Sequence, residues 1–299
     1  MVDWLAAIEG TEAGARLAMA LALAAAFLHA AFGALQKGRH DPWLSRAGID
    51  ACYGLMAAPV AFFLVPWPEP HLWPILLAAM LIHIGYKVAM AMAYTRGAYT
   101  VVYPVVRGTG PLLTVVAAWA LFGESFTTTQ WLGVAVLLAG IYGLAAYNLI
   151  HWPIGRETLR PALALAVLTG GFVALYTTWD AYGIRATANP FTFLAWFFLL
   201  DGIFMPLWQW RRLAGLDRAE AGRLFRRGIL GGLVAFGSFG SIMMATRLDK
   251  VGEAGVLRET STVFAALIGW LVLKEKVGPR RMALMGLIAA GAIIVEFGR

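Results

Sequence analysis

The chain has 299 residues, of which 60% are hydrophobic and 14% charged, a balance too apolar and too sparsely charged for a soluble protein of this length. Its formal charge of +7 comes from lysines and arginines that fall between apolar blocks. No basic run is interleaved with aromatics, so a nucleic-acid module is excluded, and the single Cys52 excludes internal disulfides and multi-cysteine metal sites.

A bilayer-spanning helix needs roughly 20 apolar residues. Read against that length, the sequence predicts helices over 17–36, 48–66, 72–94, 98–122, 128–149, 161–184, 190–210, 228–246, 252–273 and 280–297. Asp3, Glu9 and Glu12 precede the first cation, Arg16, which is the wrong charge for a secretory signal and predicts a retained first helix. Pro161, Pro190 and Pro279 fall at first-turn positions, and Thr127 with Gln130 forms a capping-box pair ahead of the fifth helix. The basic stretch from Arg211 to Arg227 reads as the one substantial loop.

An internal repeat runs through the chain at a constant offset of 151 residues. Asp50 maps onto Asp201, Thr95-Arg96 onto Thr246-Arg247, Arg107 onto Arg258, Thr109 onto Thr260, Trp119 onto Trp270, Glu124 onto Glu275 and Gly140 onto Gly291. Matched charged and aromatic residues in one ungapped frame mark a duplication. The expected fold is an all-α integral membrane protein of ten transmembrane helices, built as repeats over 1–150 and 151–299. An odd number of helices per unit inverts the second against the first, the plan of many secondary transporters, whose sites lie near the midplane. Cations in the loops after the odd-numbered helices number sixteen, against five on the other side, which predicts both termini outside the cytoplasm.

The segment Tyr103-Pro-Val-Val-Arg-Gly-Thr-Gly-Pro111, followed by Gly123-Glu124, Gln130 and Gly140, resembles the EamA type of the drug/metabolite transporter superfamily. Leu257-Arg-Glu-Thr-Ser261, Lys274-Glu275 and Gly291 repeat the pattern in the second half. The resemblance implies ten helices around a central cavity lined mainly by helices three, four, eight and nine, and metabolite export or uptake. It also implies both termini in the cytoplasm, against the charge count. Thr262 stands where the first repeat has Pro111, so helix nine is expected to lack the matching kink.

Ionisable residues inside a span are costly and need a partner or a watery cavity. Arg107 and Arg258, with the repeat-equivalent Thr109 and Thr260, are the leading substrate-binding candidates, because a guanidinium matches a carboxylate or phosphonate in bidentate fashion. The competing reading is that these arginines lock helices together, with Glu259 neutralising one. Tyr99, Tyr103 and Arg107 recur every four residues and share a face. His83 and Lys87 are spaced i, i+4 and offer a second cationic spot, unless Lys87 pairs with an intramembrane acid and His83 only packs. Asp180 and Glu259 are candidates for proton or ion coupling or for static pairing. Asp50, near the predicted start of helix two, and Asp201 read as structural, as do Glu124 and Glu275. Trp119 and Trp270 suit an interfacial belt. Gly228, Gly232, Gly237, Ser238, Gly240 and Ser241 allow close helix approach, within the chain or in a homodimer.

No Walker A, H-E-x-x-H or G-x-S-x-G motif is present, and histidines 29, 40, 71, 83 and 151 lack metal-ligand spacing. No cofactor or metal is implied. The expectation is a secondary transporter, not an enzyme, in a bacterial inner membrane, moving a small polar metabolite such as an amino acid or small organic anion. The alternatives are an intramembrane enzyme and a non-transporting scaffold.

Overall fold

The computed structural model describes residues 2–35, 41–96, 99–151, 156–271 and 278–298. Every regular element among them is an α-helix: α1 (Val2–Ile8), α2 (Glu12–Leu35), α3 (Pro42–Phe63), α4 (Leu72–Arg96), α5 (Tyr99–Phe122), α6 (Thr128–His151), α7 (Arg156–Arg185), α8 (Pro190–Asp201), α9 (Phe204–Trp208), α10 (Trp210–Ala214), α11 (Arg218–Leu248), α12 (Val251–Arg258), α13 (Ser261–Leu271) and α14 (Pro279–Phe297). Among the described residues, seven helical stretches are long and apolar enough to cross a membrane: Glu12–Phe32, Leu72–Arg96, Val105–Phe122, Thr128–Tyr147, Arg160–Arg185, Pro190–Trp208 and Arg218–Leu248. The other long segments are marked by charge or by a break. α3 carries Arg46 and Asp50, α12 and α13 are separated at Glu259, and α14 carries Arg280, Arg281 and Glu296.

Local chemistry explains where several expectations shift. α3 starts earlier than expected because Asp41 Oδ1 accepts from the Trp43 and Leu44 N–H groups at 2.9 and 3.0 Å and Pro42 occupies the first turn. Asp50 therefore lies in the helix interior, fully buried, rather than near a helix start. The stretch 211–227 is mostly helical rather than a loop. Asp217 Oδ1 accepts from the Glu220 N–H at 2.7 Å, and the Glu220 side chain returns to the Asp217 N–H, closing a capping box at the head of α11. The box expected at Thr127 and Gln130 is formed, with bonds of 3.0 and 3.1 Å.

The expectation for helix nine is reversed. α5 runs unbroken through Pro104 and Pro111, while its repeat partner breaks between α12 and α13. At the break three consecutive carbonyls are taken by side chains: Leu257 O by Thr260 Oγ1 at 2.7 Å, Arg258 O by Arg107 Nη2 at 3.1 Å and Glu259 O by Thr262 Oγ1 at 2.8 Å. The backbone N–H groups of Thr260 and Thr262 bond three residues back instead of four, which tightens the turn and interrupts the α-ladder.

Helix packing reproduces the repeat. α7 packs on α4 and α5, and α2 packs on α11, α12 and α13; α8 touches α4 as α3 touches α11. α3 with α8, α5 with α12, and α6 with α14 meet their own counterparts. Exchanging α2 with α7, α3 with α8, α4 with α11, α5 with α12–α13 and α6 with α14 leaves this pattern unchanged, the signature of a pseudo-two-fold axis. The α6–α14 crossing brings backbones together at Gly140 and Gly291. A Cβ added at Gly291 meets Leu137 N at 2.4 Å, and one at Gly140 meets Leu284 O at 2.8 Å.

The usual polarity of a soluble fold is inverted. Leu55, Phe63, Leu121 and Ile150 are exposed, at 70%, 83%, 67% and 79%, while Asp50, Lys87, Arg107, Asp201 and Arg258 are buried.

Candidate functional site

Among the described residues, most of the buried charges form three adjoining groups. In the first, α4 delivers Lys87 between the repeat-equivalent aspartates of α3 and α8. Its Nζ donates to Asp50 Oδ2 at 2.6 Å, Asp201 Oδ1 at 2.8 Å, the Asp201 carbonyl at 3.1 Å and Tyr53 Oη at 3.2 Å. Tyr53 Oη donates to Asp201 Oδ2, and Arg46 Nε lies 2.7 Å from Asp50 Oδ1. Two cations face two anions, so the group is charge-balanced and Lys87 is fully engaged.

In the second, Arg107 of α5 docks on the α12–α13 break. It forms an ion pair with Glu259 at 2.8 Å and donates to the Arg258 carbonyl and to Ser261 Oγ. Thr260 bonds its own helix, and Thr109 packs against Gly170 of α7.

The third group differs. Arg258, only 3% exposed, donates from Nη1 to Tyr176 Oη at 3.2 Å, and its guanidinium lies 5.0 Å from the centre of the Phe239 ring. Its Nε and Nη2 have no hydrogen-bond partner among the described residues. His83 Nε2 lies 2.9 Å from Asp180 Oδ2, and Asp180 Oδ1 has no partner among the described residues. Arg258 and Asp180 line one cavity with Tyr176, Phe239, Met243 and Thr246, enclosed by α7, α11 and α12. As folded, it has space for about one water molecule. Unpaired buried donors and acceptors cost about 1–3 kcal/mol each, more when charged, so an open guanidinium edge and an open carboxylate oxygen at one cavity are expected to be met by something else.

The structure thus gathers Arg107, Arg258, Glu259, His83 and Asp180 around the meeting of α4, α5, α7 and α12. Lys87 sits one turn along α4 from His83, in the separate aspartate group. Tyr99 and Tyr103 belong to α5, but their side chains lie outside what the structure describes; Lys274 and Glu275 lie outside the described residues, as does the Trp270 side chain. Trp119 is 65% exposed on the outer surface. Glu124 caps α12 from the other repeat, its Oε1 and Oε2 accepting from the Val251 and Gly252 N–H groups at 2.7 and 2.9 Å. Sequence reasoning does not single out Tyr176, Phe239, Tyr53 or Arg46 as site residues, and it reaches Ser261 only as the end of the second-half motif. Tyr176 stands four residues before Asp180, a helical spacing that places both on one face.

Above the cavity, α7 and α11 are tied together. Arg185 Nε donates to the Thr246 carbonyl at 2.8 Å, and Arg247 Nη1 to the Ile184 and Thr187 carbonyls at 2.6 Å each.

The model of the EamA-like transporter family matches residues 16–146 and again 160–297. The chain belongs to that family. As an EamA-like chain it is a multi-pass integral membrane protein of the drug/metabolite transporter superfamily, a group of membrane transporters. It is similar to the uncharacterized protein y4nH of Sinorhizobium fredii (strain NBRC 101917 / NGR234), with 41% identity over 46 residues. That match spans 15% of this chain and 39% of the relative. A crystal structure described only as "Crystal structure of protein" superposes with a TM-score of 0.72, covering 94% of this chain and 99% of the other at 18% identity. That similarity concerns the fold.

Proposed function

We propose that this EamA-like protein is a secondary transporter that carries a small polar metabolite, an amino acid or small organic anion, by alternating access. The two moving parts are the repeats 1–150 and 151–299, each of five spans, inverted about the pseudo-two-fold axis. Ten spans follow if α3, the α12–α13 pair and α14 cross the membrane with the seven apolar stretches, the charges of Arg46 and Asp50 on α3 being covered by the buried partners described above.

One observation carries the reading: Arg258, with two nitrogens unpartnered among the described residues, and Asp180, with one such oxygen, line the same cavity. A substrate carboxylate fits the guanidinium edge, and a substrate ammonium fits the carboxylate. The cavity has room for about one water molecule, so admitting a substrate requires α11 to move against α7. The Arg185 and Arg247 bonds to backbone carbonyls close one end, and the Lys87 aspartate group ties α3, α4 and α8. Opening either set while the other holds is alternating access in minimal form. The reaction needs no cofactor and no catalytic residue, takes place in a lipid bilayer, and suits a bacterial inner membrane. Nucleic acid has no part in it; Gly228 and Gly232 pack on α3 and Gly237 on α2 within the chain, so a homodimer would use other faces.

The test is thermal unfolding of the detergent-purified protein with amino acids, carboxylates, phosphonates and organic cations, beside Arg258→Lys. A compound selective for the native state raises the midpoint. Stabilisation of the wild type by an amino acid or carboxylate, lost in Arg258→Lys because a point charge cannot replace the planar fork, supports the reading. Stabilisation by lipophilic cations alone contradicts it.

A further inference from the structure

α11 is longer than the apolar layer it crosses. Its 31 residues rise about 46 Å against a hydrocarbon core of roughly 30 Å, so about ten residues stand outside that core. The stretch from Arg218 to Arg227 holds every charge of the helix except Arg247, which puts the hydrocarbon edge near Gly228. On the inner side Leu224, Gly228 and Gly232 pack on α3. On the outer side Phe225, Ile229, Leu230, Leu233 and Phe236 are exposed, an apolar stripe that gives way within one turn to exposed Arg223, Arg226 and Arg227.

These three arginines stand at i, i+3 and i+4, on one face of the helix. Helix side chains lean toward the N-terminus, here away from the hydrocarbon, so the guanidinium groups reach into the headgroup layer while their stems cover apolar surface. The acids at this end are committed elsewhere: Asp41 pairs with Arg212 at 2.5 Å, and Asp217 and Glu220 close the capping box of α11. Among the described residues no carboxylate is paired with Arg223, Arg226 or Arg227; Arg227 Nε donates to the Arg223 carbonyl at 3.3 Å.

We propose that this face of α11 binds an anionic phospholipid, its phosphate held by Arg223, Arg226 and Arg227 and an acyl chain lying along Leu230 and Leu233. Three like charges on one face repel one another, and a headgroup of net negative charge relieves that while accepting bidentate hydrogen bonds. A zwitterionic phospholipid brings its own cation, and a soluble anion makes no use of the apolar stripe. The combination therefore selects a lipid with net charge. Each arginine near an anionic headgroup strengthens the attraction about fivefold, and three together about a hundredfold. The site lies on the outer face of α11 and is independent of the transport reading.

The experiment offers the detergent-purified protein an equimolar mixture of palmitoyl-oleoyl phosphatidylglycerol and palmitoyl-oleoyl phosphatidylcholine and reads the retained lipid by native mass spectrometry. Wild type is compared with Arg223→Gln/Arg226→Gln/Arg227→Gln and with Arg160→Gln/Arg211→Gln/Arg280→Gln, which removes the same charge from exposed arginines elsewhere. The expected result is a strong preference for phosphatidylglycerol in the wild type, kept in the second variant and reduced at least about tenfold in the first. Should the first variant fail to fold, Arg226→Gln alone is read, with an expected loss of about fivefold. Equal retention of both lipids by the wild type overturns the proposal. So does an equal loss in the two triple variants, which would reduce the effect to bulk charge, or displacement of the lipid by excess inorganic phosphate, which would make the cluster a site for soluble anions. An undiminished preference in the folded first variant, or in Arg226→Gln where that is the variant read, places the lipid elsewhere and also overturns it.

Discussion

Replacing Lys87 by Met removes one of the two cations from the buried group that joins α3, α4 and α8. Arg46 remains on Asp50, so Asp201 is left as a buried carboxylate with Tyr53 Oη as its remaining side-chain donor in the group. Breaking a buried pair from one side costs roughly 3–5 kcal/mol, because the remaining charge keeps its desolvation penalty. At about 2–4 °C per kcal/mol for a chain of a few hundred residues, Lys87→Met should melt about 10 °C below the wild type. The double variant Lys87→Met/Asp201→Asn restores charge balance and should recover most of that loss, although Asp201→Asn alone also destabilises. The single cysteine, Cys52, is buried on α3 between Asp50 and Tyr53, so a thiol-reactive fluorogenic dye reports unfolding at this place. Equal midpoints for Lys87→Met and wild type, or a double variant less stable than both singles, would refute the charge-balance argument.

Two further predictions concern the ends of helices. Glu124→Ala removes both acceptors from the head of α12 and should cost about 2–4 kcal/mol, with Glu124→Gln intermediate because one acceptor survives; the same dye assay reads the order. At Asp41, burial alone raises the carboxyl pKa, but the Arg212 hydrogen bond, the Leu44 and Trp43 N–H bonds and the Arg212 charge outweigh it and hold it below its usual value. A depressed folded pKa gives stability that is present above the unfolded value of about 3.9 and lost as pH falls through the folded value. Asp41→Asn keeps the cap, so wild type and variant should differ slightly at pH 7 and the gap should narrow as pH falls below about 4; a gap that widens on acidification contradicts this.

Repetition made much of the architecture legible. Asp50 and Asp201, Arg107 and Arg258, and Gly140 and Gly291 could be paired from the offset alone, and each pair lies at a contact between the halves. Their partners were less legible. Lys87 has Ser238 as its repeat equivalent, so the offset gives no hint that it serves both aspartates. The Asp41 cap lengthens α3 and moves Asp50 into its interior, which the apolar pattern alone does not show. Proline counting pointed to α5 as the kinked helix, whereas the carbonyls of 257–259 are diverted by Thr260, Thr262 and a distant Arg107. Arg258 and Arg107 are equivalent in sequence, and only packing reveals that Glu259 and Ser261 occupy Arg107 while Arg258 keeps free donors. Asp180 corresponds to His29, so the open carboxylate has no copy in the other half and the site is asymmetric.

Counterflow in proteoliposomes tests the transport reading most directly. Vesicles holding the purified protein are loaded with the unlabelled mixture of common L-amino acids and diluted into a trace of the same mixture in labelled form. Transient accumulation of label with the wild type, absent in empty vesicles and in folded Arg258→Lys, is the predicted result. Label that never exceeds the empty-vesicle level, or equal accumulation with Arg258→Lys, would contradict a carrier centred on Arg258 and Asp180.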